Sequence, residues 1–251
     1  MPFKKVAIVG FKAKKVKSAL KKHFQISNSH PDFVVSYGGD GTILYSERKY
    51  PGIPKLAFRN SRICRKCAAR VDPRLHKASL KVYCESCLET AIQQLISGKF
   101  KVWEFNKVEA TALYSKKGRR LKKKIWGLNE VQIHNSNHIH AVRFDFCLDG
   151  VCLEEEIIGD GVVVATAYGS TAYFYAISRK LFSRGFGIGF NNPLRKIKPL
   201  FFKNDFQAEA HILRRNALLI ADNNAHFISL KKGDKVVFKP SKEKARIIQL
   251  L

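Results

Sequence analysis

The chain has 251 residues, 45% of them apolar, enough for one large domain or two small ones with a sizeable core and too many for wholesale disorder. It carries 46 Lys+Arg against 20 Asp+Glu, a formal charge of +26. No apolar run approaches the roughly 18 residues that cross a bilayer. Val6-Ala-Ile-Val-Gly-Phe11 is too short for a signal-peptide core. No integral membrane protein is expected, and the expected location is the cytoplasm. The charge is concentrated: no acid precedes Asp32, and seven of the nine residues from Lys116 to Lys124 are basic. Such a surface attracts RNA, DNA, acidic membrane faces or nucleotide phosphates. A host with a generally basic proteome produces the same balance.

In chain order, Val6–Val9 reads as a short buried strand, and Val16, Ala19, Leu20 and Phe24 follow at helical spacing on a lysine-rich helix. Phe33–Val35 is a second strand that runs into Gly38-Gly-Asp-Gly-Thr42, with a helix starting inside that loop and carrying Ile43 and Leu44. Residues 53–58 make a third strand. Leu88, Ala91, Ile92 and Leu95 define one face of a helix that Gly98 ends. Strands separated by helices predict a parallel sheet covered by helices. From about residue 100 the texture changes to strand after strand: 108–114, 125–133 beyond a basic turn at Lys117-Gly118, 139–148 before the hairpin signal Asp149-Gly150, then 162–165, 218–220 and 235–238. One helix interrupts them near Thr171. The predicted fold class is an α/β N-terminal domain with a parallel sheet plus a mostly antiparallel β-rich C-terminal domain. The expected boundaries are 1–99, 100–240 and a terminal segment 241–251 that returns to the first domain.

Two glycine loops carry the chemistry. In Gly38-Gly-Asp-Gly-Thr42, after a strand and at a helix start, the backbone can approach an anion closely and present several N–H groups with the helix dipole behind them. A carboxylate beside phosphates is repelled unless it holds Mg²⁺ or accepts a proton from an attacking hydroxyl, so Asp40 points to phosphoryl transfer. The plain alternative is a tight turn with an incidental Asp. There is no P-loop, and Gly185-x-Gly187-x-Gly189 matches the dinucleotide fingerprint only loosely, with no clear strand before it. The second loop, Gly159-Asp-Gly161, precedes a strand and then Thr166-Ala-Tyr-Gly-Ser-Thr-Ala-Tyr173, whose hydroxyls and phenols are neutral donors suited to a nucleotide. As an ordinary turn it would use Thr171 as part of a helix cap.

The ordered set GGDGT at 38–42, Asn129-Glu130 after a strand, and GDG with GSTAY across 159–173 resembles the NAD kinase family, enzymes that phosphorylate the adenosine 2′-hydroxyl of NAD. GGDGT alone also fits diacylglycerol- and sphingosine-type lipid kinases, and phosphofructokinases share GGDG. The resemblance extends weakly over almost the whole chain, through Pro54–Asn60, Asp222-Asn-Asn224 and Lys231–Asp234. It implies Asp40 as general base, Gly38, Gly39, Gly41 and Thr42 on the donor phosphates, and Asn129 and Glu130 on ribose hydroxyls. Asp160, Thr166, Ser170, Thr171, Ala172, Tyr173 and Asn224 would line the dinucleotide pocket. It also implies ATP or polyphosphate as donor, Mg²⁺ or another divalent cation with ATP, and a homo-oligomer. The chain departs from the family pattern at Ile158, where Arg is frequent, at Ala167, where the family's T-P-x-G-S has proline, and at Ser61–Cys67, which replaces a glycine-rich stretch. The remaining readings are a related kinase acting on a lipid or nucleoside hydroxyl, and a basic nucleic-acid-binding protein on this scaffold.

Spacing alone singles out four cysteines. Cys64-x2-Cys67-x16-Cys84-x2-Cys87 fits a tetrahedral structural zinc site, with surrounding Arg and Lys offsetting the charge of four thiolates. Buried thiols or a redox pair are the alternatives. Cys147 and Cys152 stand apart, and in a reducing cytosol the pattern favours metal over disulfides. His134, His138 and His140 read as surface residues of a turn. Glu154–Glu156 reads as a solvated edge or as partners of nearby lysines, and Lys116–Lys124 as a solvated hairpin tip or an RNA contact.

Overall fold

Runs of β-branched and aromatic residues, each followed by an amphipathic helix, build the first of two units, Met1–Phe105 with Lys244–Leu251. The computed structural model describes residues 3–11, 13–59, 82–84, 87–153 and 156–251. In this unit β1 (Lys5–Val9), α1 (Lys14–Lys21), β2 (Gln25–Ile26), β3 (Phe33–Tyr37), α2 (Asp40–Lys49), β4 (Lys55–Arg59), β5 (Val82–Cys84) and α3 (Leu88–Ile96) follow in order. The strands pair in parallel in the order β2-β1-β3-β4-β5. Alternation decides the two faces: Val6, Phe33 and Val35 pack with Val16, Leu20, Ile92 and Leu95 of α1 and α3, whereas Ala7, Val9 and Val34 pack with Tyr50. Ile248 and Leu250, near the end of the chain, sit in the first of these clusters, and the Tyr83 hydroxyl accepts from Leu250 N at 2.8 Å. Beneath β4, fully buried Lys55 donates to the Glu47 carboxylate and, at 2.6 Å, to Tyr50 O.

The second unit, Asn106–Glu243, is a sandwich of two sheets. Its elements are β6 (Phe100–Lys116), β7 (Arg119–Gly127), β8 (Glu130–Asn135), β9 (Val142–Leu148), β10 (Val151–Cys152), β11 (Ile157–Gly159), β12 (Gly161–Thr166), α4 (Tyr173–Ser178), β13 (Phe186–Asn191), β14 (Leu200–Phe202), β15 (Ala208–Arg214), β16 (Ala217–Ala221), β17 (Ile228–Leu230) and β18 (Lys235–Leu250). One layer holds β6, β7, β9, β10, β11, β15 and the start of β18. The other is antiparallel in the order β14-β13-β12-β8-β16-β17. Val108, Phe144, Phe146, Val162, Val164, Ile188 and Phe238 from both layers form one core. Successive residues of β12 serve opposite faces: Val162 and Val164 enter that core, while Val163 and Ala165 pack against Phe174 of α4. Both hairpins read from turn chemistry are present, with left-handed φ at Lys117-Gly118 and at Asp149-Gly150.

Several elements differ from the sequence reading. The run 125–133 is two strands in different layers, because the chain turns sharply at Leu128-Asn129. The glycines around 187 lie within β13. The helix expected near Thr171 starts at Tyr173, its cap position is Ala172, and no side chain caps it. Cys147 and Cys152 face each other across β9 and β10 and form a disulfide, contrary to the expectation of thiols, because the two-residue turn puts them in register. Among the described residues no helix is long and apolar enough to cross a membrane.

Candidate active site

In the first unit β1 and β3 are neighbours whose chains leave in opposite directions, toward β2 and toward β4. This is a topological switch point, the place where open parallel sheets bind ligands beyond the strand ends. Gly38 and Gly39 follow β3 there, and α2 begins at Asp40 with Gly39 as its cap residue and no side chain capping it. The N-terminus of this ten-residue helix carries no side-chain cap, and its dipole favours an anion there. Thr42 N donates to Gly39 O at 3.0 Å, closing the loop. Arg59, at the end of β4, donates from Nη2 to Asp40 Oδ1 at 2.7 Å. The Asp40 side chain is 66% exposed, so one carboxylate oxygen is held and the group still faces solvent. An open cleft of about 450 Å³ adjoins the end of β1, lined by Gly10, Phe11, Lys14, Lys17 and Asn28 among others.

In the second unit the remaining motifs are tied together through polar contacts. Asp222, buried after β16, accepts from three consecutive backbone N–H groups: Leu128 at 2.9 Å, Asn129 at 2.8 Å and Glu130 at 3.2 Å. Its own N–H donates to Glu130 O at 2.9 Å. The turn between β7 and β8 is therefore built around a carboxylate supplied from more than ninety residues away. The segment after β12 docks onto the same turn. Thr166 N donates to Asn129 O at 2.9 Å, and Thr166 Oγ1 donates to Leu128 O at 2.6 Å. Gly169 lies so close to Asn129 that any Cβ would overlap the Asn129 carbonyl. Glu130 is buried, and its Oε2 has no hydrogen-bond partner among the described residues. Burial, aided by the Asp222 charge, pushes its pKa up to about 8, so at neutral pH this carboxyl carries a proton and can donate as well as accept.

Asp160, in the turn joining β11 and β12, accepts from Asn135 Nδ2 at 3.0 Å and Asn192 Nδ2 at 3.1 Å. The Tyr173 hydroxyl accepts from Asn191 Nδ2 at 3.0 Å. Burial raises the Tyr173 pKa above its usual value, and the charges of Asp160 and Glu130 push the same way. His134 stacks edge-on beside Tyr173 with centroids 6.5 Å apart. Asn129, Glu130, Asp160, Thr166 and Tyr173 thus meet in one unit. Ser170 is buried in the same segment, Ala172 is half-buried and Thr171 is exposed. Asn224 is folded onto its own turn, where Oδ1 accepts from His226 N at 3.1 Å. Asp222, Arg59, Asn135, Asn191 and His134 were given no role by their sequence; the signals that existed were the 54–60 match, which contains Arg59, and the Asp222-Asn-Asn224 turn.

Cys84 ends β5, Cys87 is the cap residue of α3, and their sulfurs lie 3.7 Å apart. Cys64 and Cys67 lie outside the described residues, as does the rest of the expected cysteine insert between 60 and 81. Among the described residues no group of three or more His, Cys, Asp or Glu side chains is arranged to hold a metal, His134 of β8 with His138 and His140 included. Glu156 pairs with an arginine, Arg143, at 2.8 Å, and Glu154 and Glu155 lie outside the described residues.

No family model matches the chain. It is 25% identical over 222 residues to the bifunctional NADP phosphatase/NAD kinase of Methanococcus maripaludis, covering 86% of this chain and 36% of that protein. The corresponding protein of Methanocaldococcus jannaschii is likewise covered over 36% of its length, so the chain spans about a third of these two curated relatives. Identity to the NAD kinase of Thermoplasma volcanium is 27% over 229 residues, 89% of this chain and 75% of that one. Among solved structures, yeast NADH kinase complexed with NADH superimposes with a TM-score of 0.79 at 17% identity, covering 100% of this chain and 84% of that one. The NAD kinase from Archaeoglobus fulgidus in complex with ATP gives 0.71 at 20% identity, covering 97% and 92%.

Proposed function

We propose that the chain is a member of the NAD kinase family and transfers the γ-phosphoryl group of ATP to the adenosine 2′-hydroxyl of NAD, giving NADP and ADP. The observation that carries this reading is that, in the second unit, the Asp222-held turn presents Asn129-Glu130 against the segment that starts at Thr166, while the charges of both Glu130 and Asp160 act on Tyr173 at the end of that segment. Neutral amide, hydroxyl and protonated carboxyl groups in a partly buried cluster suit a ligand rich in hydroxyls and base edges. Asn129 and Glu130 hold the ribose hydroxyls. Asp160 and the 166–173 segment, with Asn224, line the rest of the dinucleotide.

On the donor side the reading assigns phosphate binding to Gly38, Gly39, Gly41 and Thr42 at the start of α2, and proton abstraction to Asp40. With Oδ1 held by Arg59, Asp40 keeps Oδ2 for the proton of the 2′-hydroxyl. Most of the acceleration then comes from positioning and fixed charge. A divalent cation such as Mg²⁺, carried on the ATP phosphates, would offset their charge beside Asp40. The reading includes a cytoplasmic, homo-oligomeric enzyme.

A structural zinc on Cys64, Cys67, Cys84 and Cys87 is part of the same proposal. Two thiolates on one tetrahedral zinc at about 2.3 Å stand about 3.8 Å apart, and the 3.7 Å between Cys84 and Cys87 supports that fit. Zinc analysis should find one equivalent in the wild type and a loss in Cys84→Ser. A wild-type protein prepared without chelator and free of metal would refute it.

The decisive assay is NADP formation from NAD with ATP and Mg²⁺, and in parallel with polyphosphate. Wild-type turnover falling about 10²-fold or more in Asp40→Asn is the expected result. Turnover unchanged in that variant would remove Asp40 from its role, and no NADP with either donor would overturn the kinase reading.

A further inference from the structure

The second unit carries an arginine cluster that the proposed reaction does not use. β9 and β15 set Arg143 directly opposite Arg214, across a bulge between Ile212 and Arg214, and Arg215 follows with φ of 70°. Like charges facing each other across a ladder destabilise it, and a long side chain in the left-handed region adds strain. Glu156 answers one of these charges through Arg143. Arg214 and Arg215 have no ion pair or side-chain hydrogen bond among the described residues. Asp145, next along the same face as Arg143, stands opposite His211 instead.

Two open clefts meet at this point and share His140 and Arg215. One, of about 210 Å³, is walled by Arg143, Arg214 and Ile158. The other, of about 140 Å³, is walled by Ser136, Asn137 and Asn216. The floor is held in place, because Ser136 donates to Asn216 O from both Oγ (2.9 Å) and N (3.1 Å). The first residue of this loop, Asn135, also holds Asp160.

We propose that these clefts form a phosphate-binding subsite in which the Arg214 and Arg215 guanidinium groups, with Arg143 and His140, take a multiply charged phosphoryl anion. Guanidinium forks match phosphate oxygens bidentately, and such an anion removes the repulsion that the bare ladder carries. Each cleft is smaller than the roughly 300 Å³ at which pockets begin to enclose a whole organic ligand. The chemistry recognised is therefore the phosphate itself, either free as a short inorganic polyphosphate or attached to a nucleotide that extends beyond the cleft. This is a binding claim and does not require the kinase reading to hold.

Calorimetric titration of the full chain with inorganic tripolyphosphate, and separately with NAD, tests it at about 0.15 M salt, where long-range attraction is screened beyond roughly 8 Å. Three proteins are compared: wild type, R214Q/R215Q, and K122Q/K123Q as an equal loss of charge on an exposed hairpin. Two lost charge-assisted contacts should weaken tripolyphosphate roughly tenfold or more in the arginine double variant, with little change in the lysine one. A selective loss of NAD affinity instead would support the subsite and identify its phosphate as nucleotide-borne. Equal losses in both double variants would mean diffuse attraction to a +26 chain, and no loss for either ligand would leave the arginines without an anion; both outcomes overturn the proposal.

Discussion

Asp222 shows how much one buried carboxylate organises. Its three backbone N–H bonds hold Leu128, Asn129 and Glu130. Asp222→Ala strands buried donors and should cost about 2–4 kcal/mol in urea unfolding. Under the proposed kinase reading it should also raise KM for NAD, because the turn that presents Asn129 loosens. Glu130 makes a separate prediction in pH. Its folded pKa of about 8 lies above the ordinary glutamate value of 4.5, so between those limits the folded state holds a proton that the unfolded chain has lost. Stability from this group is full below the unfolded pKa. It declines as pH rises through the window, by up to about 1.4 kcal/mol per unit, and levels off above the folded value. Wild type should therefore lose stability relative to Glu130→Gln when unfolding is measured from pH 5 to 8. Parallel curves would show that Glu130 is ionised in the fold. In Asp222→Ala the shift should shrink but persist, since burial is its larger cause.

Between elements, α4 rests on β13 where glycine leaves room for it. A Cβ at Gly187 would meet Phe182 at 2.7 Å and Phe174 at 2.8 Å, and one at Gly189 would meet Ile177 at 3.0 Å. Gly187→Ala should push α4 outward at a cost of about 1–3 kcal/mol. The 166–173 segment runs directly into α4, so KM for NAD should rise more than kcat falls. Unchanged KM with lowered stability would separate the helix from the acceptor segment. These glycines illustrate what could be read from sequence and what could not. Their spacing was visible, but its meaning depends on Phe174 and Phe182, which no local pattern ties to them. The strands 5–9, 33–37 and 161–166 and the face of α3 were legible because period and composition are local properties. The break of 125–133 into β7 and β8 was not, because its cause is Asp222. The motifs singled out Asn129, Glu130, Asp160 and Thr166, which share one unit, but the asparagines that bond Asp160 and Tyr173 arrive from β8, from β13 and from the residue after it, and no motif marked them.

For the whole molecule the question is how a chain of +26 tolerates its charge. Its acids are largely committed elsewhere: Asp32 and Asp222 to backbone N–H groups, Glu47 to buried Lys55, Glu209 to Lys235. On the hairpin of β6 and β7, Asp234 serves Arg120 at 3.4 Å while also holding Ser115 N, and Glu109 serves both Lys124 at 3.1 Å and Lys239 at 3.6 Å. Lys122 and Lys123 sit opposite Leu113 and Ala112, on alternate faces of a strand that pairs only with β6. Charges there discourage edge-to-edge association, so a test must change their sign and keep them charged. Lys122→Glu with Lys123→Glu replaces repulsion within the cluster by attraction to Arg119, Arg120 and Lys124. Melting midpoints should rise by a few degrees at about 0.01 M salt, where the screening length is roughly 30 Å, and the gain should fade near 1 M, where it is roughly 3 Å. A gain of the same size at both salt concentrations would be an effect of packing or propensity. A loss at low salt would mean that the basic cluster is stabilising where it stands, and self-repulsion would no longer account for its behaviour.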